Sequence, residues 1–225
     1  MYASSIKPHS PSKISLKGYI LLLALCMCYM GSISAQMGKP SILKTGAGIN
    51  FFSDHNGSQS VPIAGLSIGL SPDFTLSKRF YLKPEIAFSM KGGRIDYSAG
   101  NIFNGNVRYH INYLELPVMI GLRANAWLAL EAGVYGAVKL GGDLDFQGSF
   151  TYGYGVFDRD DLEDLDYGPA AGVVLKSRFI QIGIRYYHGL NPVAANEKSG
   201  FLLGNAVNNT VQLCIQTKRF RRKKD

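Results

Sequence analysis

The sequence predicts an all-β fold, an eight-stranded antiparallel up-and-down transmembrane β-barrel with short periplasmic turns and long outer loops. Three observations carry this expectation. Apolar and polar residues alternate with a period of two through segments of about ten residues, a spacing that a helix, with 3.6 residues per turn, cannot produce. Those segments have the length a tilted strand needs to cross a bilayer, whereas strands of soluble proteins are nearer five or six residues. The connections alternate strictly between short and long, as they do in up-and-down barrels of outer membranes. Composition agrees. In 225 residues, 46% are hydrophobic and only 18% charged, with 26 glycines, 13 tyrosines and 12 phenylalanines. Disordered chains are poor in aromatics and rich in charge, and coiled coils are heavy in Ala, Glu, Lys, Leu and Arg, so both classes are excluded.

The chain begins with a stretch read as a targeting signal, residues 1–35. Lys7, Lys13 and Lys17 precede an apolar run from Tyr19 to Met30, and Gly31-Ser32-Ile33-Ser34-Ala35 supplies small residues for cleavage before Gln36. The run is too short for a stable membrane helix. Removal of three of the 24 basic residues would leave 21 basic against 16 acidic ones. Most of that excess sits in Lys218, Arg219, Arg221, Arg222, Lys223 and Lys224, so residues 36–220 form a nearly neutral barrel domain and 221–225 a basic periplasmic tail. A positive charge confined to the chain ends gives no basis for nucleic-acid binding. Cys214 is the one cysteine left after cleavage; no internal disulfide and no metal-ligand spacing exists, and no metal or cofactor is expected.

Eight strands follow in order. Leu43 to Phe52 sets Leu43, Ala47, Ile49 and Phe51 against Lys44, Gly46, Gly48 and Asn50. Ala64 to Phe74 sets Ala64, Leu66, Ile68 and Leu70 against Gly65, Ser67, Gly69, Ser71 and Asp73. Phe80 to Lys91 sets Leu82, Ile86, Phe88 and Met90 against Tyr81, Lys83, Glu85, Ser89 and Lys91. Tyr109 to Arg123 sets Leu114, Leu116, Val118, Ile120 and Leu122 against Tyr113, Glu115, Met119, Gly121 and Arg123. Trp127 to Leu140 sets Leu128, Leu130, Val134 and Val138 against Glu131, Gly133, Tyr135 and Lys139. Tyr167 to Lys176, Phe179 to His188 and Thr210 to Thr217 alternate likewise, with Arg185 on the polar side of the seventh. Pro84, Pro117 and Pro169 lack a ladder donor, so bulges or strand ends are expected there. Short turns fall at Leu76 to Arg79, Ala124 to Ala126 and Ser177-Arg178. Long loops fall at Ser53 to Pro62, Gly92 to Arg108, Gly141 to Asp166 and Gly189 to Asn209.

The polar face decides which side is out. It is rich in glycine, which suits a crowded interior better than an exposed strand surface, and it carries both signs of charge. Lys44, Asp73, Lys83, Glu85, Lys91, Glu115, Arg123, Glu131, Lys139 and Arg185 are therefore expected to form a charge network filling the lumen, with the apolar face toward lipid. An eight-stranded barrel is just wide enough to be filled by side chains, so no aqueous pore is expected. Aromatics at strand ends, among them Phe51, Phe80, Trp127, Phe179 and Tyr186, suit the two interface girdles.

The segment Ile111-Asn112-Tyr113-Leu114-Glu115-Leu116-Pro117-Val118 resembles the Tyr-Leu-Glu-(Leu/Ile)-Pro motif of the PorT-like outer-membrane β-barrel proteins of Bacteroidetes. Phe80 to Phe88 followed by Lys91-Gly92 resembles that family's third strand, and Arg185-Tyr186-Tyr187-His188-Gly189-Leu190 its penultimate one. The resemblance implies an outer-membrane barrel, and through the family's name-giving member a link to type IX protein secretion. It supplies no activity.

Candidate chemistry is sparse. Asp143, Asp145, Asp158, Asp160, Asp161, Glu163, Asp164 and Asp166 crowd one outer loop and could attract calcium, but the spacing lacks the glycine and distal glutamate of an EF-hand and a solvated loop is the default. His110 and His188 could sit at the outer rim near Asp166 and Ser149, the residue types a rim-site hydrolase would use. The preferred expectation is a non-enzymatic, monomeric outer-membrane protein: a rigid barrel presenting loops that bind a partner or support envelope integrity. Its contacts would be outer-membrane lipid and other envelope or secretion proteins. A component of a secretion machine and a rim-site lipid-modifying or hydrolytic enzyme are the alternatives.

Overall fold

The computed structural model describes residues 43–53, 59–99, 103–148, 161–196, 199–200 and 203–217, all within the unit Pro40–Asp225. The expected leader, Ser149, Asp158, Asp160 and the basic tail lie outside the described residues.

The segments are β1 (Leu43–Ser53), β2 (Gln59–Val61), β3 (Ile63–Leu70), β4 (Phe74–Thr75), β5 (Phe80–Pro84), β6 (Ile86–Ala99), β7 (Phe103–Arg123), β8 (Leu128–Gly148), β9 (Leu165–Lys176), β10 (Ile180–Pro192) and β11 (Val207–Thr217). β2, β3 and β4 follow one path along the barrel wall, and so do β5 and β6, which leaves eight strands. Each pairs antiparallel with its sequence neighbour. β1 closes the circuit on β11, with Ala47 opposite Leu213 and Ile49 opposite Val211. The result is a closed eight-stranded antiparallel β-barrel without a lateral edge through its membrane zone.

The three prolines show how such a wall tolerates missing donors. Pro84 ends β5, as expected. Pro169 differs from that expectation: it stands inside β9 in unbroken register with Val134 of β8, and lies just past Ala170, the last β9 residue paired with β10. Pro117 departs from expectation: it stands in the middle of β7, and its pairing with Tyr135 runs in unbroken register. In an antiparallel ladder the N–H and C=O of one residue address the same neighbour. The Pro117 carbonyl accepts from Glu85 N at 2.8 Å, so the absent N–H also faces the break between β5 and β6. The one shift in the β7–β8 register falls elsewhere, between Asn112 and Tyr113.

The strands run farther than alternation suggested. Much of the expected loop from Gly92 to Arg108 is a continuation of the β6–β7 ladder up to Ala99 opposite Phe103, and β8 continues beside β7 to Gly148. The reason is a change of solvent along the strand. Below Gly92 the outward residues of β6 and β7 are Ile86, Phe88 and Met90 and Leu114 to Leu122, while the inward ones are Ser89, Lys91, Tyr113 and Glu115. Beyond that level the outward positions become Arg94, Asp96, Asn106, Arg108 and His110, and the inward ones Ile95, Val107, Tyr109 and Ile111, all buried. Lipid gives way to water there, so the polarity of the two faces exchanges. Sequence alternation centred on the lipid zone does not carry past that exchange.

Glycines on the inward face make room for large side chains. The Tyr81 ring lies against Gly121 where a Cβ would overlap its ring carbons. Gly121→Val should therefore cost about 1–3 kcal/mol by overpacking, seen as a lower urea midpoint for the folded barrel in vesicles. An unchanged midpoint would mean that Tyr81 has another place to go.

Candidate functional site: the charged lumen and its two mouths

The inward side chains form two charged layers. In the periplasmic one, Glu85 accepts from Lys44 Nζ at 2.6 Å, from both Arg185 Nη atoms at 2.8 and 3.0 Å, and from Ser71 Oγ at 2.9 Å. Glu131 accepts from Lys83 Nζ at 2.5 Å, Arg185 Nη2 at 2.6 Å and Tyr81 OH at 2.8 Å. Arg185 thus bridges the two carboxylates, which come from β8 and from the junction of β5 and β6. Lys83 also lies 3.6 Å from Asp73 and donates to Gln216 Oε1 at 3.3 Å. Three cations face three carboxylates, and Glu85 and Glu131 use nearly all their lone pairs. Removing such charges from water costs several kcal/mol per ion unless each is paired.

The outer layer centres on Lys91. Its ammonium lies 3.1 Å from Asp166 and 3.6 Å from Glu115, and 4.1 Å from the centre of the Tyr135 ring. Tyr135 OH donates to Asp166 Oδ1 at 3.0 Å and Ser89 Oγ to Glu115 Oε2 at 2.7 Å. Above this layer the mouth is covered by apolar side chains: Phe52, Ile95, Val107, Tyr109 and Ile111 from the walls, and Leu162, Val193, Leu203 and Ala206 from the outer connections. Those connections are bound to each other, since Ala195 N donates to Asp161 O at 3.0 Å and Asn196 Nδ2 to Asp161 Oδ1 at 2.6 Å. Two small cavities among the polar side chains hold about 10 and 20 Å³, space for single waters.

Of the ten residues expected in the lumen network, Lys44, Lys83, Glu85, Lys91, Glu115, Glu131 and Arg185 are buried in these two layers. Asp73 stands at the periplasmic mouth, partly open to solvent. Lys139 is at the other mouth, where it contacts the Leu162 carbonyl and pairs with Asp164 at 3.0 Å. Arg123 departs from the expectation. It is partly exposed at the periplasmic rim and donates to Ser77 O at 3.1 Å and Thr75 Oγ1 at 2.9 Å instead of to a carboxylate. As the last residue of β7, it passes the final lumen layer and meets the adjacent turn.

Asp166 is a lumen residue that the sequence expectation misses. Assigned to the outer loop, it is instead the second residue of β9, 2% exposed and paired with Lys91. Carrying the Tyr167–Lys176 alternation back by one position would have put it on the inward face. Its departure, with Asp161 turned toward Asn196 and Asp164 toward Lys139, disperses the acidic cluster. No group of three or more metal-ligating side chains exists among the described residues.

The two rim histidines are not brought together. His110 stands on the outward face of β7 and His188 on that of β10, with β8 and β9 between them. His188 Nδ1 lies 2.7 Å from Asn209 Oδ1, which also accepts from Tyr186 OH at 2.8 Å. Asp166 points away from both, into the lumen. Cys214 is buried in the lumen, where its Sγ donates to Gln212 Oε1 at 3.0 Å.

The family comparison agrees with this architecture. Residues 41–195 match the model of the family described as outer membrane protein beta-barrel domain. No curated protein matches the chain. Among solved structures the chain is similar to neisserial surface protein A, with 12% identity, 79% of this chain and 96% of that one covered, and a TM-score of 0.44. It is similar to Ail, the attachment invasion locus protein of Yersinia pestis, with 10% identity, coverages of 80% and 99%, and a TM-score of 0.40. The translocator domain of the autotransporter NalP from Neisseria meningitidis gives 10% identity, coverages of 90% and 98%, and a TM-score of 0.39. With apolar side chains outward, a closed wall and a family match over most of its length, the chain belongs to the outer membrane protein beta-barrel domain family and resides in the outer membrane.

Proposed function

We propose that this protein is a non-enzymatic scaffold of the outer membrane whose outer loops bind a partner or support envelope integrity. The observation that carries the reading is the filled lumen. Among the described residues, two hydrogen-bonded charge layers under an apolar cap fill the lumen and make a stiff base for the loops above. Complementation of a deletion strain tests it. A chain whose residues 149–160 are replaced by a Gly-Ser linker of equal length should still show heat-modifiable migration of a folded barrel, yet fail to restore the envelope phenotype. Full restoration by that chain would end the loop-scaffold reading.

The lumen also sets an expectation for transport. The purified protein should give no conductance above that of the bare planar bilayer; steady single-channel steps would overturn the filled-barrel account. Membership in the PorT-like group, with a place in a secretion machine, rests on the sequence resemblance, whose most specific element is Tyr113-Leu114-Glu115-Leu116-Pro117. In this chain Tyr113 and Glu115 line the lumen and Pro117 faces the β5–β6 break, so the element serves construction of the wall. A rim-site enzyme draws no support from His110 and His188 where they stand.

A further inference from the structure

Charge is divided between the two ends of the barrel. The outer end carries Asp96, Asp143, Asp145, Asp161, Glu163 and Asp164, against which Arg94, paired with Asp96, and Arg108, opposite Asp145, stand on its outward face. The periplasmic end has Lys78, Arg79 and Arg178 exposed, with Arg123 and Lys176 partly so. Asp73 is the only acidic residue from 70 to 83, and none occurs from 116 to 130 or from 167 to 196. Asp73 is spent on Lys83 and on Gln181 Nε2, which donates to it at 3.2 Å.

The exposed cations stand beside an apolar belt. Leu76, Phe80, Trp127 and Phe179 are all exposed at this end, and the Arg178 guanidinium lies 5.5 Å from the centre of the Phe179 ring. The turns that carry them are joined. Arg123 N donates to Arg79 O at 2.7 Å, and Lys176 N donates to Trp127 O at 2.7 Å, so Lys78, Arg79, Trp127 and Arg178 lie along one arc of the rim. Arg123 ties down the Lys78 turn through Ser77 O and Thr75 Oγ1. Aromatic rings at a strand end mark the level of the lipid headgroups, and fixed cations at that level face phosphates.

We propose that this arc binds anionic phospholipid headgroups of the inner leaflet, with Lys78, Arg79 and Arg178 contacting the phosphates and Phe80, Trp127 and Phe179 resting on the acyl boundary. The barrel then gathers anionic lipid around its periplasmic rim. An acidic periplasmic protein is the other partner such charges could face, but the exposed apolar belt directly beside them favours lipid.

Trp127 is the only tryptophan in the chain, so its fluorescence reports on this arc. The full chain is folded into vesicles of phosphatidylcholine and phosphatidylglycerol in which one or the other lipid carries brominated, quenching acyl chains. Brominated phosphatidylglycerol should quench Trp127 as if enriched about fivefold over its bulk share, the factor expected for one phosphate contact, and salt should reduce the enrichment. The variant K78Q/R79Q/R178Q should lose it, and R178Q alone should lose part. R94Q/R108Q, altered at the other end, should keep it. Heat-modifiable migration confirms that each variant is folded. Equal quenching by both lipids in the unaltered protein would overturn the proposal and leave the cations to water or a protein partner. Enrichment that survives K78Q/R79Q/R178Q would overturn it as well.

Discussion

Replacing Arg185 with Met should lower the stability of the folded barrel by about 3–5 kcal/mol, the usual cost of stranding buried charges without their partner. Among the described residues, Arg185 is the only side chain that pairs with both Glu85 and Glu131 in the periplasmic layer. Met fills a similar volume, so the loss is electrostatic and leaves little cavity. Lys44 and Lys83 remain, each holding one of the carboxylates. The central charge does not, and the layer becomes net negative in a space without bulk water. Adding Glu131→Gln to the Met variant should recover part of the loss, because it removes one stranded charge. Urea unfolding in lipid vesicles, followed by the shift between folded and unfolded gel bands, measures both. A Met variant that unfolds at the same urea concentration as the unaltered protein would show that the layer is wet and that its pairs contribute nothing.

The second large effect belongs to the outside of the wall. Val134 is 61% exposed in the middle of β8, between Val118 of β7 and Pro169 of β9. Val134→Arg puts a charge in the centre of the hydrocarbon and should cost about 2–4 kcal/mol. Asn106→Arg has the same outward orientation but lies on the extended part of β7, beyond the lipid zone. It should change stability by no more than about 0.5 kcal/mol. Read in the same vesicles, the two variants map where hydrocarbon ends. Equal costs at the two positions would mean that the polarity exchange near Gly92 is not the membrane boundary.

The sequence was most informative where one strand face sees lipid and the other a packed interior. There a period of two is imposed on every residue, and the inward positions of Lys83, Glu85, Glu131 and Arg185 could be counted off directly. Legibility failed at both ends of the strands. Asp166 was hidden because five neighbouring acids made 158–166 look like one solvated loop, although its position relative to Tyr167 fixes its face. Arg123 was placed in the lumen by alternation alone, which gives the face of a residue and not its depth along the barrel axis. The extension of β6, β7 and β8 was missed because the hydrophobic pattern changes sign there, and a reversed pattern reads as no pattern. Pairing across the lumen was not legible at all. Arg185 and Glu85 are 100 positions apart, and nothing local records that they meet.

The exchange of faces near Gly92 has a consequence for how the wall finds its alignment. A strand such as β7 is written in two halves with opposite codes. If it slid by one residue against its neighbours, Tyr113 and Glu115 would turn into hydrocarbon at the same moment as Val107 and Ile111 turned into water. Ordinary barrels penalise such a slip once; here both media reject it, and the errors add because neither half can gain what the other loses. The upper hairpin therefore acts as a vernier for the lower one, fixing its alignment from outside the membrane.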